Sequence, residues 1–212
     1  PSSNAARGGD CLYKSIRFRE YVAIAGVFLA SAVSFRQSEG AGKLVQVKGG
    51  DYWLNEGKVA VDVDRFDYAL AHARTARPAA MANLLENAVQ LYQGDYLSNL
   101  RYYDWAAAER HRLSEAYVGA LNALGDHYLG QRRCAEALGY ARQALQCDPY
   151  QEESHLLAMR CYGALGDRRG LMQQYAALTR ALCDELGVPL LPKTEEIYRT
   201  LLQRVQVAAT GA

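Results

Sequence analysis

The chain has 212 residues, half of them hydrophobic and 22% charged, so it can bury a sizeable core and wholesale disorder is excluded. The formal net charge of +1 excludes both a strongly basic histone-like binder and an acidic solvating tail. That balance is uneven: residues 1–60 hold eight Lys/Arg against five Asp/Glu, or +3, while residues 61–212 hold sixteen against eighteen, or −2.

Residues 1–10 are small and polar and form a lead-in. Residues 11–38 are expected to be helical, with Leu12, Ile16, Tyr21, Ile24, Phe28 and Val33 on one apolar face, until Ser38-Glu39-Gly40-Ala41-Gly42 breaks the pattern. The period then becomes two. Leu44 to Val47 and Tyr52 to Leu54 flank Gly49-Gly50, which signals a β-hairpin, because primed turns need positive φ at their centre. Alternating Val59, Val61 and Val63 suggest one more short strand.

From Asp64 onward the pattern is helical. Asp64 caps a helix to about Ala76, and Pro78 starts another reaching about Tyr92. After a connection from Gly94 to Tyr103, Asp104 opens a long helix that Gly130 ends; Leu113, Tyr117, Leu121, Leu124 and Tyr128 supply its buried face. Next comes a helix over Cys134 to Cys147. Asp148-Pro149 opens a third, Gly166-Asp167 separates a fourth running to about Leu186, and Pro192 opens the last. Short links imply antiparallel neighbours.

A period of thirty-four runs through this region. With Pro149 as the proline closing a tetratricopeptide repeat, the unit begins near Val118, and Leu124, Gly125, Tyr128, Ala137 and Ala144 fall on its packing positions. Helices approach closely only where crossing residues are small, which is the expected part of Gly125 and Ala137. The next unit keeps Tyr162 and Tyr175 but has Leu171 and Leu178 in place of the two alanines.

Several strings, in order, resemble the bacterial transcriptional activator domain, the tetratricopeptide-like module of the antibiotic regulatory protein (SARP) family of activators. They are Leu91-Tyr92-Gln93-Gly94-Asp95-Tyr96-Leu97, then Asp104-Trp105, Glu109-Arg110 and Arg112-Leu113. Ala144-Leu145 with Asp148-Pro149 follow, then Glu185-Leu186-Gly187-Val188 with Pro192, Thr194 and Tyr198. In that family an OmpR-type winged helix precedes the helical module. Its wing resembles Leu44 to Leu54, its recognition helix Ser31 to Gln37, and its link into the module Val61-Asp62-Val63-Asp64 with Phe66. The stretch before Asn55 is too short for a complete winged helix, and its recognition-like segment carries Arg36 alone.

The resemblance implies a mainly α protein: a tetratricopeptide-like α-hairpin repeat module over 61–207, a small α+β winged-helix-like piece with a β-hairpin over 1–60, and a tail over 208–212. It implies a cytoplasmic regulator of transcription that contacts protein partners, itself or the transcription machinery, with DNA touched by Arg36, Lys43 and Lys48. Trp105, Tyr128, Tyr162 and Tyr175 are expected to line a partner groove. The alternative is a tetratricopeptide-like adaptor without DNA activity, for which the near-neutral charge speaks.

Other chemistries find no support. Glu39 to Lys43 glances at a phosphate loop, but Leu44 stands where the magnesium-binding hydroxyl belongs. His72, His111, His127 and His155 form no ligand pair, and the five cysteines show neither C-x-x-C nor zinc spacing; they are expected to be free thiols. No nucleophile elbow occurs, so no catalytic residue, metal or cofactor is expected. The longest apolar run, Tyr21 to Val33, has thirteen residues, short of the roughly 20 that span a membrane, and no membrane contact is expected.

Overall fold

The computed structural model describes residues 45–48, 51–54, 62–96 and 104–210, with side chains for 62–96 and 106–207. The chain divides into two compact units, Pro1–Val61 and Asp62–Ala212. In the first, β1 (Val45–Lys48) and β2 (Asp51–Leu54) pair antiparallel, Val45 opposite Leu54 and Lys48 opposite Asp51. The helix expected over 11–38 lies outside the described residues.

The second unit is mainly helical, with seven α-helices among the described residues. These are α1 (Asp62–Ala73), α2 (Pro78–Leu91), α3 (Asp104–Gly130), α4 (Cys134–Cys147), α5 (Glu152–Leu165), α6 (Arg168–Thr179) and α7 (Pro192–Thr210). Val63, expected in a strand, is in the first turn of α1, where Asp62 and Asp64 place carboxylates at the helix N-terminus. Pro78 occupies the first turn of α2 and holds Arg77 extended at φ −66, ψ 153, after α1 has ended at Ala73. At 27 residues, α3 is about 40 Å long.

Two expectations are corrected. Asp148 does not cap α5, which begins at Glu152: the Asp148 carboxylate accepts from the Tyr150 N–H at 3.0 Å and closes a turn of its own. The α-helix expected to reach Leu186 ends at Thr179 and continues as a π-helical segment over Arg180–Glu185. There the Thr179 hydroxyl bonds the Tyr175 carbonyl, and Gly187 at φ 68 precedes a Val188 N–H bond to the Leu182 carbonyl at 2.8 Å.

Each helix packs on the next, and α5 also packs on α3 and α7. The largest core cluster joins Ala73, Leu85, Leu124, Ala137, Leu157 and Cys161, residues from five successive helices. A second holds Phe66, Ala88 and Leu113 at the beginning of the unit, and a third holds Met159, Leu171, Leu178 and Leu182 towards its end. Each fully buried leucine contributes roughly 1.5–3 kcal/mol relative to exposure.

Candidate functional site: an aromatic seam through the helical module

The residues expected at repeat-packing positions lie inside. Leu124, Ala137 and Ala144 are completely buried, and a Cβ on Gly125 would lie 3.4 Å from the Ala137 carbonyl oxygen. Leu171 and Leu178 are also completely buried.

The aromatic residues expected to line one groove have separate surroundings. Tyr128 is only 8% exposed and its hydroxyl donates to Glu86 of α2. Its ring stacks on Tyr140 with centroids 5.5 Å apart, and the Arg133 guanidinium lies 4.2 Å above it. Those contacts commit Tyr128 to the core and leave it no face for an outside segment; the Glu86 carboxylate and burial both push its hydroxyl pKa up. Tyr162 is half-buried and accepts a hydrogen bond from Arg142 at 3.1 Å. Tyr175 is half-buried and stacks flat on Tyr198 of α7, centroids 3.8 Å apart and planes 5° from parallel. Trp105 is in the first turn of α3 and Lys48 ends β1, their side chains outside the described residues; Arg36 and Lys43 lie outside them altogether.

Sequence reading missed the partners that complete this seam, Tyr140 and Tyr198, together with Tyr92 and Tyr117, which stack at 4.2 Å. It also missed what Arg110 and Arg112 do, although both stand in strings that carry the family resemblance. Arg110 donates to the Tyr96 carbonyl at 3.0 Å and so holds the connection before α3. Arg112 grips Asp67 of α1 with both terminal nitrogens, each at 2.9 Å, and reaches Glu109 at 3.0 and 2.7 Å. Hydrogen bonds to those two carboxylates raise its pKa further.

Among the described residues, neither Cys147 nor Cys161 is an activated nucleophile. Cys134, Cys147, Cys161 and Cys183 are free; burial pushes Cys161 up to about 11 and also raises Cys147. Among the described residues no group of three or more His, Cys, Asp or Glu is placed to hold a metal ion, and no helix is long and apolar enough to cross a membrane.

The chain and its fold have known relatives. The chain is 29% identical over 166 residues to the regulatory protein AfsR of Streptomyces coelicolor, an alignment covering 76% of this chain and 17% of that protein. Its fold matches that of EmbR from Mycobacterium tuberculosis, solved in complex with a low-affinity phosphopeptide, at a TM-score of 0.61 and 18% identity, over 92% of this chain and 50% of that one. The chain thus spans half or less of the length of either relative. Residues 61–202 match the bacterial transcriptional activator domain, a transcription-regulator module and not a class of enzyme, and the chain belongs to that family, as its resemblance to the SARP-type activators predicted.

Proposed function

We propose that the chain regulates transcription in the cytoplasm, its tetratricopeptide-like helical module (61–207) contacting protein partners and its N-terminal region (1–60) touching DNA. Of the residues expected to form a tail over 208–212, those at 208–210 belong to α7. The observation that carries this reading is the family match over residues 61–202. Support comes also from the order of elements, since the β1–β2 pair precedes the module as a wing would. Arg36, Lys43 and Lys48 are the proposed DNA contacts. Trp105, Tyr162 and Tyr175 are the proposed partner contacts, because a half-buried tyrosine offers both ring and hydroxyl to an incoming segment. Tyr128, committed to the core, is left out.

The test compares transcript levels in bacteria carrying the chain, lacking it, or carrying Tyr162→Ala/Tyr175→Ala. The double variant is expected to lose regulation while keeping its fold by circular dichroism. Identical transcripts with and without the chain would overturn the reading. The net −2 of residues 61–212 favours a second reading, an adaptor that binds protein and no DNA; retained partner capture without any duplex binding at low salt would establish it.

A further inference from the structure

Three turns within the helical module carry arginine pairs: Arg74 and Arg77 between α1 and α2, Arg132 and Arg133 between α3 and α4, and Arg168 and Arg169 where α6 follows α5. The short links at α1–α2, α3–α4, α4–α5 and α5–α6 reverse the chain, and across the longer α2–α3 connection the core clusters join Phe66 to Leu113 and Ala73 to Tyr128, so these three turns fall on one end of the unit. Packing places them together. Ala73 and Ala82 flank the first turn, Tyr128 and Ala137 the second, Cys161 precedes the third, and all five share one core cluster. Arg132 and Arg133 also wall a single surface depression with Ala164 and Leu165 at the end of α5.

All six arginines are exposed. Arg133 is held by Glu136. The other five make no ion pair or side-chain hydrogen bond among the described residues. The acids at these turns are already occupied: Glu136 by Arg133, and Asp167 by the Gly170 N–H at 2.8 Å. Arg132 even occupies left-handed backbone at φ 63, the conformation that Gly166 adopts at φ 71 after the next hairpin's first helix. Carboxylates gather at the opposite end. Asp148, Glu152 and Glu153 surround the α4–α5 link, and Tyr150 on that link donates to Glu185 of the π-helical segment at 3.1 Å. A nearly neutral module is therefore split into a basic and an acidic end.

We infer that the arginine end is a binding surface for the sugar–phosphate backbone of duplex DNA, additional to any contact from residues 1–60. Every base in it is arginine, whose planar fork takes two phosphate oxygens at once. The acidic end of a second copy fits less well. Its Glu185, Asp148 and Glu152 already accept from Tyr150 Oη, Tyr150 N and Leu191 N, and a head-to-tail contact builds rings or filaments and not the commoner two-fold pair. The inference rests on the reading of the chain as a transcription regulator.

The experiment measures anisotropy of a labelled 30-base-pair duplex of mixed sequence with the full chain, across 20–200 mM salt. Arg74→Gln/Arg77→Gln/Arg168→Gln/Arg169→Gln removes four charges from the edge. Arg65→Gln/Arg142→Gln/Arg180→Gln/Lys193→Gln removes four elsewhere. The edge variant is expected to bind at least about tenfold more weakly at 50 mM salt, with a log–log salt slope shallower by about 3.6 if all four charges contact phosphate, at roughly 0.9 per lost contact. The control is expected to stay within about threefold of wild type. Equal losses in both variants, or none in the edge variant, overturn the inference. So does edge-dependent binding of polyglutamate without duplex binding, which would assign the surface to an acidic protein, or edge-dependent oligomers in sedimentation, which would assign it to a second copy. Loss of edge-dependent binding with transcript regulation intact removes this surface alone; unchanged transcripts with edge-dependent binding intact remove the regulatory reading alone.

Discussion

Gly125 of α3 and Leu157 of α5 pack against each other only because Gly125 has no side chain: a Cβ there overlaps Leu157 Cδ2 and lies 3.3 Å from its Cγ. Leu157 is 1% exposed, so it has little room to swing aside. Gly125→Ala gains about 1 kcal/mol of helix propensity but forces an overpacked crossing that costs about 1–3 kcal/mol. Urea denaturation is expected to show a net loss of up to about 2 kcal/mol, partly recovered by Leu157→Val. Gly139 on α4 meets nothing within 4 Å, and Gly139→Ala is expected to stabilise by about 0.5–1 kcal/mol. Equal responses at the two glycines would contradict the close crossing.

Asn122 and Ser154 form a buried polar pair between α3 and α5. The Ser154 hydroxyl donates to Asn122 Oδ1 at 2.9 Å, while Asn122 Nδ2 has no partner among the described residues. Ser154→Ala leaves the amide wholly unpaired and is expected to cost about 1–3 kcal/mol. Asn122→Leu/Ser154→Ala removes both polar groups and is expected to be less destabilising than Ser154→Ala alone. A double-mutant cycle by thermal melting tests this, and strictly additive losses would refute it.

His155 is held neutral. A carbonyl can only accept, so Nε2 carries the proton given to the Pro149 oxygen at 2.9 Å, and Nδ1 accepts from the Gln174 amide at 2.6 Å. Burial lowers the His155 pKa below its ordinary 6.5, against the opposing pull of Glu152 and Asp148. Below that value the unfolded chain takes up a proton that the folded chain refuses. The stabilisation is therefore complete above about pH 6.5 and is lost as pH falls through the folded value. Stability measured from pH 7.5 to 5 is expected to fall more steeply for wild type than for His155→Gln. Parallel curves would show that the ring is not held neutral.

Arg132 adopts φ 63 at the end of α3. Glycine meets no Cβ penalty in that conformation, so Arg132→Gly is expected to raise stability by about 1 kcal/mol. The same substitution is expected to weaken duplex binding, a trade of function against stability. A variant no more stable than wild type in chemical denaturation would argue against strain at this turn.

Local signals made much of the helical unit legible. Asp104 and Gly130 bound α3, and α4 runs from Cys134 to Cys147, because spacing and helix-ending glycine act within a few residues of the chain. Leu124 and Ala137 are completely buried and Gly125 meets Leu157, because helices approach closely where the crossing residue is small. Asp148 was misread because two local bonds compete for one carboxylate, and the turn wins over the cap.

What tertiary structure alone decided involves residues far apart in the chain. Tyr175 meets Tyr198, Arg112 meets Asp67, and Tyr128 meets Glu86 only after helices have stacked; no periodicity within one element encodes such pairings. The arginine edge has the same origin. Arg74, Arg132 and Arg168 are unremarkable turn residues one at a time, and they become one surface because each hairpin reverses the chain and the core aligns the reversals. A net charge is a property of the sequence, but its segregation to the two ends of a module is a property of the packing.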